Sequence, residues 1–179
     1  MAKINKDPIT QLQVESETEF REALTALEQK GTLQQLPQLI TFYLQLPIGF
    51  KRTAMHAFLA SIIKKGIREA WMELLKNTIK EEEKHPIINI LWNTRIDFSP
   101  YLVEFVRWAV EGDYQTTLEC LTVMEQMAGP FGEELLLEAQ CLLQERRNSH
   151  TESPQKRALL EDIESVLKNF ESDDELPLD

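Results

Sequence analysis

Apolar residues recur along this chain at intervals of three and four positions, which is the spacing of one face of an α-helix. The clearest stripe follows Pro100, where Leu102, Phe105, Val106 and Ala109 occupy successive turns of one face. No stretch of four to eight residues alternates apolar and polar side chains, as a half-buried strand would. The pattern therefore predicts an all-α fold of about nine helices. Their predicted starts are Ser16, Leu36, Phe50, Ile67, Pro86, Ser99, Asp113, Phe131 and Ser153.

Capping residues stand at several of these starts. Ser16 and Glu19 have the capping-box spacing, in which each side chain accepts a hydrogen bond from the other residue's backbone amide. Ser99, Asp113 and Ser153 carry side-chain oxygens of the kind that cap helices. Ser16 and these three residues are therefore the predicted N-caps.

Glycines mark several predicted helix ends. Gly31 follows the first helix and is predicted to end it in the left-handed conformation. Gly66 closes the third helix, which is predicted to extend to Lys65, and Gly129 follows the seventh, which is predicted to extend to Ala128. These bounds leave short connections, which place neighbouring helices antiparallel.

The predicted helix starts are regularly spaced. Pro37, Arg68, Pro100 and Phe131 lie 31, 32 and 31 residues apart. A period of this kind predicts stacked helix pairs, in which each pair covers the apolar face of the next. The predicted organisation is a flexible N-terminal segment (1–15), a helical-repeat domain (16–170) and a disordered acidic tail (171–179).

Residues 32–147 resemble the HEAT and armadillo class of helical repeats. A first helix is entered through a proline, as in QLPQLITFYL and FSPYLVEFVRWAV, and a more apolar helix follows after a short turn. The stretch ILWNTRIDFSPYLVEFVRWAVEGDYQTTLECLTVMEQM is similar to a group of bacterial HEAT-like proteins without an assigned activity. The resemblance implies a right-handed stack of antiparallel helix pairs, an α-α superhelix. It implies a fold and not a function.

A second resemblance is to tetratricopeptide repeats. The turn from Ala109 to Tyr114 contains the Gly-Asp-Tyr sequence found at the turn of such repeats. The motif occurs once, and the interval of 31 or 32 residues is shorter than the period of about 34 residues that tetratricopeptide repeats keep. HEAT-like repeats are therefore the better description.

The chain is acidic, with a formal net charge of -11 over 179 residues. Five of these charges come from residues 171–179, which leaves -6 for the rest. Such a chain is poorly suited to binding a nucleic-acid duplex, because neutralising phosphates requires a surplus of Lys and Arg. No apolar run approaches the roughly 18–20 residues that span a bilayer, and the first residues lack the apolar stretch of a secretory signal. The sequence therefore predicts a cytoplasmic protein without a membrane segment.

No set of side chains has the spacing of a catalytic, metal or cofactor site. The three histidines are isolated from one another, the glycines are dispersed, and no ligands flank the acidic run at 81–83. Cys120 and Cys141 lie among apolar neighbours and are predicted to be buried free thiols. The sequence thus predicts a non-enzymatic protein without a cofactor or metal.

Two surface regions are predicted to bind a protein partner. The first is a basic cluster on and after the third helix, made of Lys51, Arg52, Lys64, Lys65 and Arg68, with His56 of the same helix as a further contact residue. The second is the loop after the fifth helix, with contact residues Trp92, Asn93, Arg95, Asp97 and Phe98. Each region has an alternative interpretation. In the alternative for the first region, the cations serve only to keep the surface soluble. In the alternative for the loop, Asn93 caps the fifth helix and Asp97 pairs with Arg95.

These features predict a scaffold or adaptor for a protein partner, whose identity and oligomeric state the sequence does not specify. The alternative is a HEAT-like nucleic-acid-binding protein or an enzyme of the alkylpurine DNA glycosylase type. Such an enzyme would use the basic cluster, Asp97 and the tryptophans Trp71, Trp92 and Trp108. A further hypothesis is that the acidic tail (171–179) binds to the basic cluster of the same chain.

Overall fold

The computed structural model describes residues 8–147 and 152–174. Within these ranges the chain forms ten α-helices and three short 3-10 turns, with no β-strand. The predicted all-α fold is confirmed. None of the helices in the same ranges is long and apolar enough to cross a bilayer. The chain divides into two compact units, which we call unit 1 (Met1–Ile79) and unit 2 (Lys80–Asp179).

Unit 1 holds the first five helices. They are α1 (Pro8–Leu12), α2 (Glu17–Lys30), α3 (Leu36–Gln45), α4 (Phe50–Ser61) and α5 (Ile67–Asn77). Both α2 and α3 pack against α1 and α4. Burying a large apolar side chain contributes about 1.5–3 kcal/mol, so the buried residues hold these helices together. In α1 to α4 they are Leu12, Phe20, Leu24, Leu27, Leu36, Leu39, Ile40, Tyr43, Met55, Phe58 and Leu59.

Unit 2 is built around one central helix. Its helices are α6 (Lys84–Asn93), α7 (Leu102–Glu111), α8 (Tyr114–Met124), α9 (Glu133–Arg147) and α10 (Pro154–Asp174). Seven of the ten residues of α7 are buried, and α7 packs against α8, α9 and α10. A helix that is apolar on nearly all sides lies in a core. α6 and α10 complete the unit by packing against α8.

Three of the four predicted N-caps are confirmed. Side-chain oxygens of Ser16, Asp113 and Ser153 accept a hydrogen bond from the backbone amide three residues further on, at 3.5, 2.8 and 3.2 Å. Each bond satisfies one of the amides that the first turn of a helix leaves without a partner. The caps therefore fix where α2, α8 and α10 begin.

The predicted cap at Ser99 is wrong. Ser99 is buried, and its hydroxyl donates to Asp97 and accepts a hydrogen bond from the Gly129 amide at 3.1 Å. Asp97 in turn accepts a hydrogen bond from the Ser99 amide at 3.0 Å. A 3-10 turn at Ser99–Tyr101 follows, so α7 begins two residues later than Pro100.

Gly31 follows α2 as predicted but is not left-handed. Its φ of -66° and ψ of 153° are those of extended backbone. Its amide donates to the Leu27 carbonyl at 2.7 Å, and a Cβ at this position would lie 2.4 Å from the same oxygen. Glycine is needed here because of this close approach and not because of a positive φ.

Near both ends, more of the described chain is helical than the sequence predicted. α1 lies within segment 1–15, and its Leu12 is fully buried, so the described chain has one α-helix more than the nine predicted. α10 continues to Asp174 and so enters the predicted tail. The remaining parts of the predicted terminal segments, residues 1–7 and 175–179, lie outside the described residues, as do residues 148–151.

The interval between alternate helix starts is 31 residues at both ends of the predicted repeat. α3, α5, α7 and α9 start at Leu36, Ile67, Leu102 and Glu133, which are 31, 35 and 31 residues apart. The middle interval is longer because the 3-10 turn precedes α7. The assignment of residues 16–170 to one repeat domain stays a prediction.

The two cysteines differ in exposure. Cys120 is a buried free thiol, as predicted, and burial raises the pKa of its thiol. Cys141 is exposed, so the prediction that it is buried is wrong. It lies two residues from both Ala139 and Leu143, which are buried. Two residues correspond to about half a helical turn, so Cys141 is on the opposite face of α9.

Candidate functional site

The aromatic residues of the predicted binding loop hold that loop to unit 2. Phe98 is only 1% exposed, and its ring packs edge-on against Phe105 at a centroid distance of 5.8 Å. The half-buried Trp92 donates its indole N–H to Glu119 Oε2 at 3.0 Å, and Asn89 donates to the same oxygen at 3.0 Å. Glu119 is thus a contact of the loop that the sequence did not indicate.

The polar residues of the same loop, Asn93, Arg95 and Asp97, are exposed. Asn93 donates its side-chain amide to the Asn89 carbonyl at 2.9 Å, in the last turn of α6. Arg95 has a φ of 59°, in the left-handed region that few residues other than glycine adopt. These three side chains are the part of the loop that faces solvent.

The cations at the centre of the predicted basic cluster support neighbouring backbone in unit 1. Lys51 donates to a carbonyl of the segment between α1 and α2 at 2.5 Å, and Arg52 donates to a carbonyl of the turn between α3 and α4 at 2.7 Å. The Arg52 guanidinium also lies 4.7 Å from the centre of the Tyr43 ring, and His56 packs against the same ring at 6.3 Å. Lys51, Arg52 and His56 are all half-buried.

Two of the tryptophans named for the nucleic-acid hypothesis are buried, and its carboxylate Asp97 already has hydrogen-bond partners. Trp71 is 0% exposed and Trp108 is 4% exposed, so neither ring has a free face on which a base would stack. Asp97 accepts hydrogen bonds from the amide and the hydroxyl of Ser99. The geometry of these groups favours a structural role.

An apolar pocket opens in unit 1 where the ends of α2 and α4 lie beside the start of α3. Its volume is about 270 Å³. The buried part of the lining is apolar and consists of Leu27, Leu36, Leu39 and Phe58. The more exposed part consists of Glu28, Gly31, Thr32, Leu33, Ser61, Ile62, Ile63 and Lys64. The pocket therefore has an apolar floor and a mixed rim.

The rim forms because α4 ends at Ser61, four residues earlier than predicted. The Ser61 hydroxyl donates to the Phe58 carbonyl at 2.7 Å, a local bond that competes with continuation of the helix. The Ile62 amide then bonds to the Leu59 carbonyl at 3.4 Å, which tightens the last turn. Ile63 follows outside the helix and is 84% exposed at the pocket.

Lys64 ties the segment after α4 to the end of α2, because its ammonium donates to the Gly31 carbonyl. The sequence did not predict this pocket. The local pattern gave no signal for it, because consecutive apolar residues such as Leu74 and Leu75 are both buried on one helix elsewhere in the chain.

The two units differ in charge. Unit 1 has 10 Lys and Arg against 8 Asp and Glu, which gives a formal charge of +2, whereas unit 2 has 9 against 22, which gives -13. Lys64 lines the pocket, and Lys30 and Lys65 are the sequence neighbours of the lining residues Gly31 and Lys64. With Glu28 as the acidic residue of the lining, the surroundings of the pocket are positive in an acidic chain.

The interior lysines of unit 2 have carboxylate partners. Lys84 is 5% exposed, pairs with Glu81 and lies 5.2 Å from the centre of the Trp108 ring. Lys156 is 4% exposed and pairs with Glu152 at 3.2 Å. No group of three His, Cys, Asp or Glu side chains is placed to hold a metal ion in residues 8–147 and 152–174.

The pocket of unit 1 is the candidate site that the geometry favours, because it joins an apolar floor, an exposed isoleucine and a positive rim in one place. The resemblance of residues 32–147 to HEAT-like repeats stays an interpretation of the sequence. No protein-family model, curated protein or solved structure matches this chain.

Proposed function

We propose that this chain is a non-enzymatic adaptor that binds a protein partner, and that the pocket of unit 1 receives an apolar side chain of that partner. The observation that carries the proposal is the 84% exposed Ile63 beside a pocket with a buried apolar floor. Contact with a partner removes this apolar surface from water. Burying one such side chain contributes about 1.5–3 kcal/mol, which makes Ile63 a central contact.

The pocket has the size of an anchor site for one side chain. A cavity of about 150 Å³ lined by Leu, Ile and Phe holds a benzene ring. The pocket of unit 1 has a volume of about 270 Å³, so an aromatic or large aliphatic side chain fits with room for part of its neighbour. Anchors in well-packed pockets carry most of the binding energy of protein interfaces.

The proposal keeps the interpretation of the helices as HEAT-like pairs stacked in a superhelix. It is supported by the interval of 31 residues between the starts of α3 and α5 and between those of α7 and α9. Repeats of this class offer their partners a surface along the stacked helices. The exposed loop residues Asn93, Arg95 and Asp97 belong to the proposal as a second contact region, in unit 2.

Affinity capture from the native host tests the proposal with three forms of the full chain, namely the wild type, Ile63→Asp and Ile48→Asp. Ile48 is a matched control because it is 97% exposed in unit 1 and does not line the pocket. We expect the wild type and Ile48→Asp to retain the same partner. Ile63→Asp should lose it by about tenfold or more in quantitative mass spectrometry, because a carboxylate next to the apolar floor is desolvated on binding.

The possible results separate the two parts of the proposal. If Ile63→Asp and Ile48→Asp retain the partner equally, or lose it equally, the pocket is not the binding site. Recovery of no partner by the wild type above a tag-only control contradicts the adaptor function itself.

A further inference from the structure

Lys64 is a half-buried cation on the wall of the pocket, and in the part of the chain that the structure describes it forms no ion pair. Its ammonium has three N–H donors, and the hydrogen bond to the Gly31 carbonyl uses one of them. The buried lysines of unit 2, Lys84 and Lys156, each pair with a carboxylate. Because a partly desolvated cation is stabilised by a counter-charge, Lys64 is placed to receive one from a bound molecule.

Two further lysines extend this positive charge around the pocket. Lys30 and Lys65 are exposed, and neither forms an ion pair within residues 8–147 and 152–174. Among the residues that the structure describes, Glu28 is the single carboxylate of the lining, so these residues leave an excess of positive charge at the pocket. Complementary charge speeds the encounter of partners and discriminates against like-charged ones.

We propose that the segment bound in this pocket is acidic, with an aromatic or large aliphatic anchor flanked by Asp or Glu. The anchor fills the apolar floor, a neighbouring carboxylate pairs with Lys64, and Lys30 and Lys65 attract the segment at longer range. This inference rests on the proposed function and adds the chemistry of the partner. A protein segment is favoured over an anionic membrane surface because the pocket is concave and has room for one anchor.

Peptide display on the immobilised full chain identifies the segments that bind. Random displayed peptides are selected on the wild type, and those that also bind Ile63→Asp are removed. We expect the enriched peptides to carry an aromatic or large aliphatic residue with Asp or Glu close to it. Enrichment of neutral or basic peptides overturns the inference and leaves the proposed function standing, whereas the absence of any enrichment over Ile63→Asp overturns both.

The carboxylate contact is tested with one enriched peptide, labelled with fluorescein, and with a second form in which Asn and Gln replace its Asp and Glu. Fluorescence anisotropy measures their binding to the wild type, Lys64→Met and Lys51→Met. Lys51 is a matched control, since it is also a half-buried lysine of unit 1 that donates to a backbone carbonyl, and it does not line the pocket.

We expect Lys64→Met to weaken binding of the acidic peptide about tenfold, and Lys51→Met to leave it unchanged. The Asn and Gln form should bind the wild type and Lys64→Met equally, which also shows that the pocket remains intact. Equal weakening of both peptides by Lys64→Met overturns the carboxylate contact. The inference is also overturned if the chain binds no peptide but sediments with phosphatidylserine vesicles, and if Ile63→Asp abolishes that sedimentation. The site would then bind a lipid surface.

Discussion

Lys156 lies on the apolar stripe of α10, and the buried leucines of that helix follow it by three and four residues. Its ammonium donates to the Val110 and Gly112 carbonyls at 3.0 and 2.6 Å and pairs with Glu152 at 3.2 Å. The last carbonyls of a helix have no partner within it. Lys156 therefore completes the end of α7 from another helix.

We expect Lys156→Met to lower the free energy of unfolding by about 3 kcal/mol. The methionine preserves the packing of the stem, but two carbonyls and the partly buried Glu152 lose a donor. Urea denaturation followed by circular dichroism measures the change. Lys168→Met is the control, because it removes an exposed ion pair with Glu164 on the same helix and should cost about 0.5 kcal/mol or less. Equal losses in the two variants would show that the bonds of Lys156 contribute little.

The partner of a single side chain could not be predicted from the sequence where that partner lies far along the chain. Trp92 was recognised as a candidate contact, but its hydrogen-bond partner Glu119 is 27 residues further along the chain. Local spacing does not indicate that α8 packs with Glu119 facing the indole. The exposure of Cys141, by contrast, follows from its position between two buried residues on α9 and was within reach of the helical pattern.

At the scale of the element, α8 shows how a capping side chain couples a helix to pH. The Thr116 amide donates to Asp113 at 2.8 Å. This hydrogen bond holds the pKa of the Asp113 carboxyl below its usual value, against the opposing effect of burial, and the positive charges of His85 and Lys156 act in the same direction as the bond. A lowered pKa in the folded state means that the ionised carboxyl stabilises the fold.

The cap of α8 should therefore weaken in acid. Its contribution is fully present above the unfolded-state pKa of about 3.9 and is lost as the pH falls through the lower folded-state pKa. We expect Asp113→Ala to lower the free energy of unfolding by about 1 kcal/mol at neutral pH, and this deficit to shrink below about pH 4. Urea titrations across this range provide the measurement.

Asp113→Asn is the control for this cap, because it keeps a capping oxygen without the charge. Its stability at neutral pH should lie between those of the wild type and Asp113→Ala, and it should lack the loss in acid that titration of Asp113 causes in the wild type. If the deficit of Asp113→Ala is as large in acid as at neutral pH, the ionised carboxyl is not the source of the stabilisation.

Helix starts were more predictable than helix ends. α2, α3, α4, α5, α8 and α10 begin where caps, prolines or apolar stripes indicated, since these signals are local. The end of α4 depends instead on the hydroxyl bond of Ser61 and on the contact of Lys64 with Gly31 at the end of another helix. The pocket arises from that contact between elements, so the pattern of α4 alone did not reveal it.

At the scale of the whole molecule, the unequal charge of the two units predicts an unequal response to salt. Mutual repulsion among the acidic residues of unit 2, with a formal charge of -13, disfavours its compact state. Salt screens this repulsion, because the Debye length falls from about 30 Å at 0.01 M to about 8 Å at 0.15 M. Over this range we expect amide exchange to slow in unit 2 and to change little in unit 1.

Hydrogen–deuterium exchange mass spectrometry with peptides from each unit measures this difference. Sucrose is a suitable control, since a neutral solute excluded from the protein surface should slow exchange in both units. Equal slowing of both units by sodium chloride would indicate that the charge of unit 2 is not the cause.

The different exposure of the two cysteines also makes the chain convenient to derivatise. Cys120 is enclosed in unit 2, and burial raises the pKa of its thiol, so little of the reactive thiolate is present. Cys141 is exposed on α9 and is open to maleimide reagents. The native sequence therefore carries one defined attachment point for a dye or a surface tether, and no cysteine has to be introduced or removed to use it.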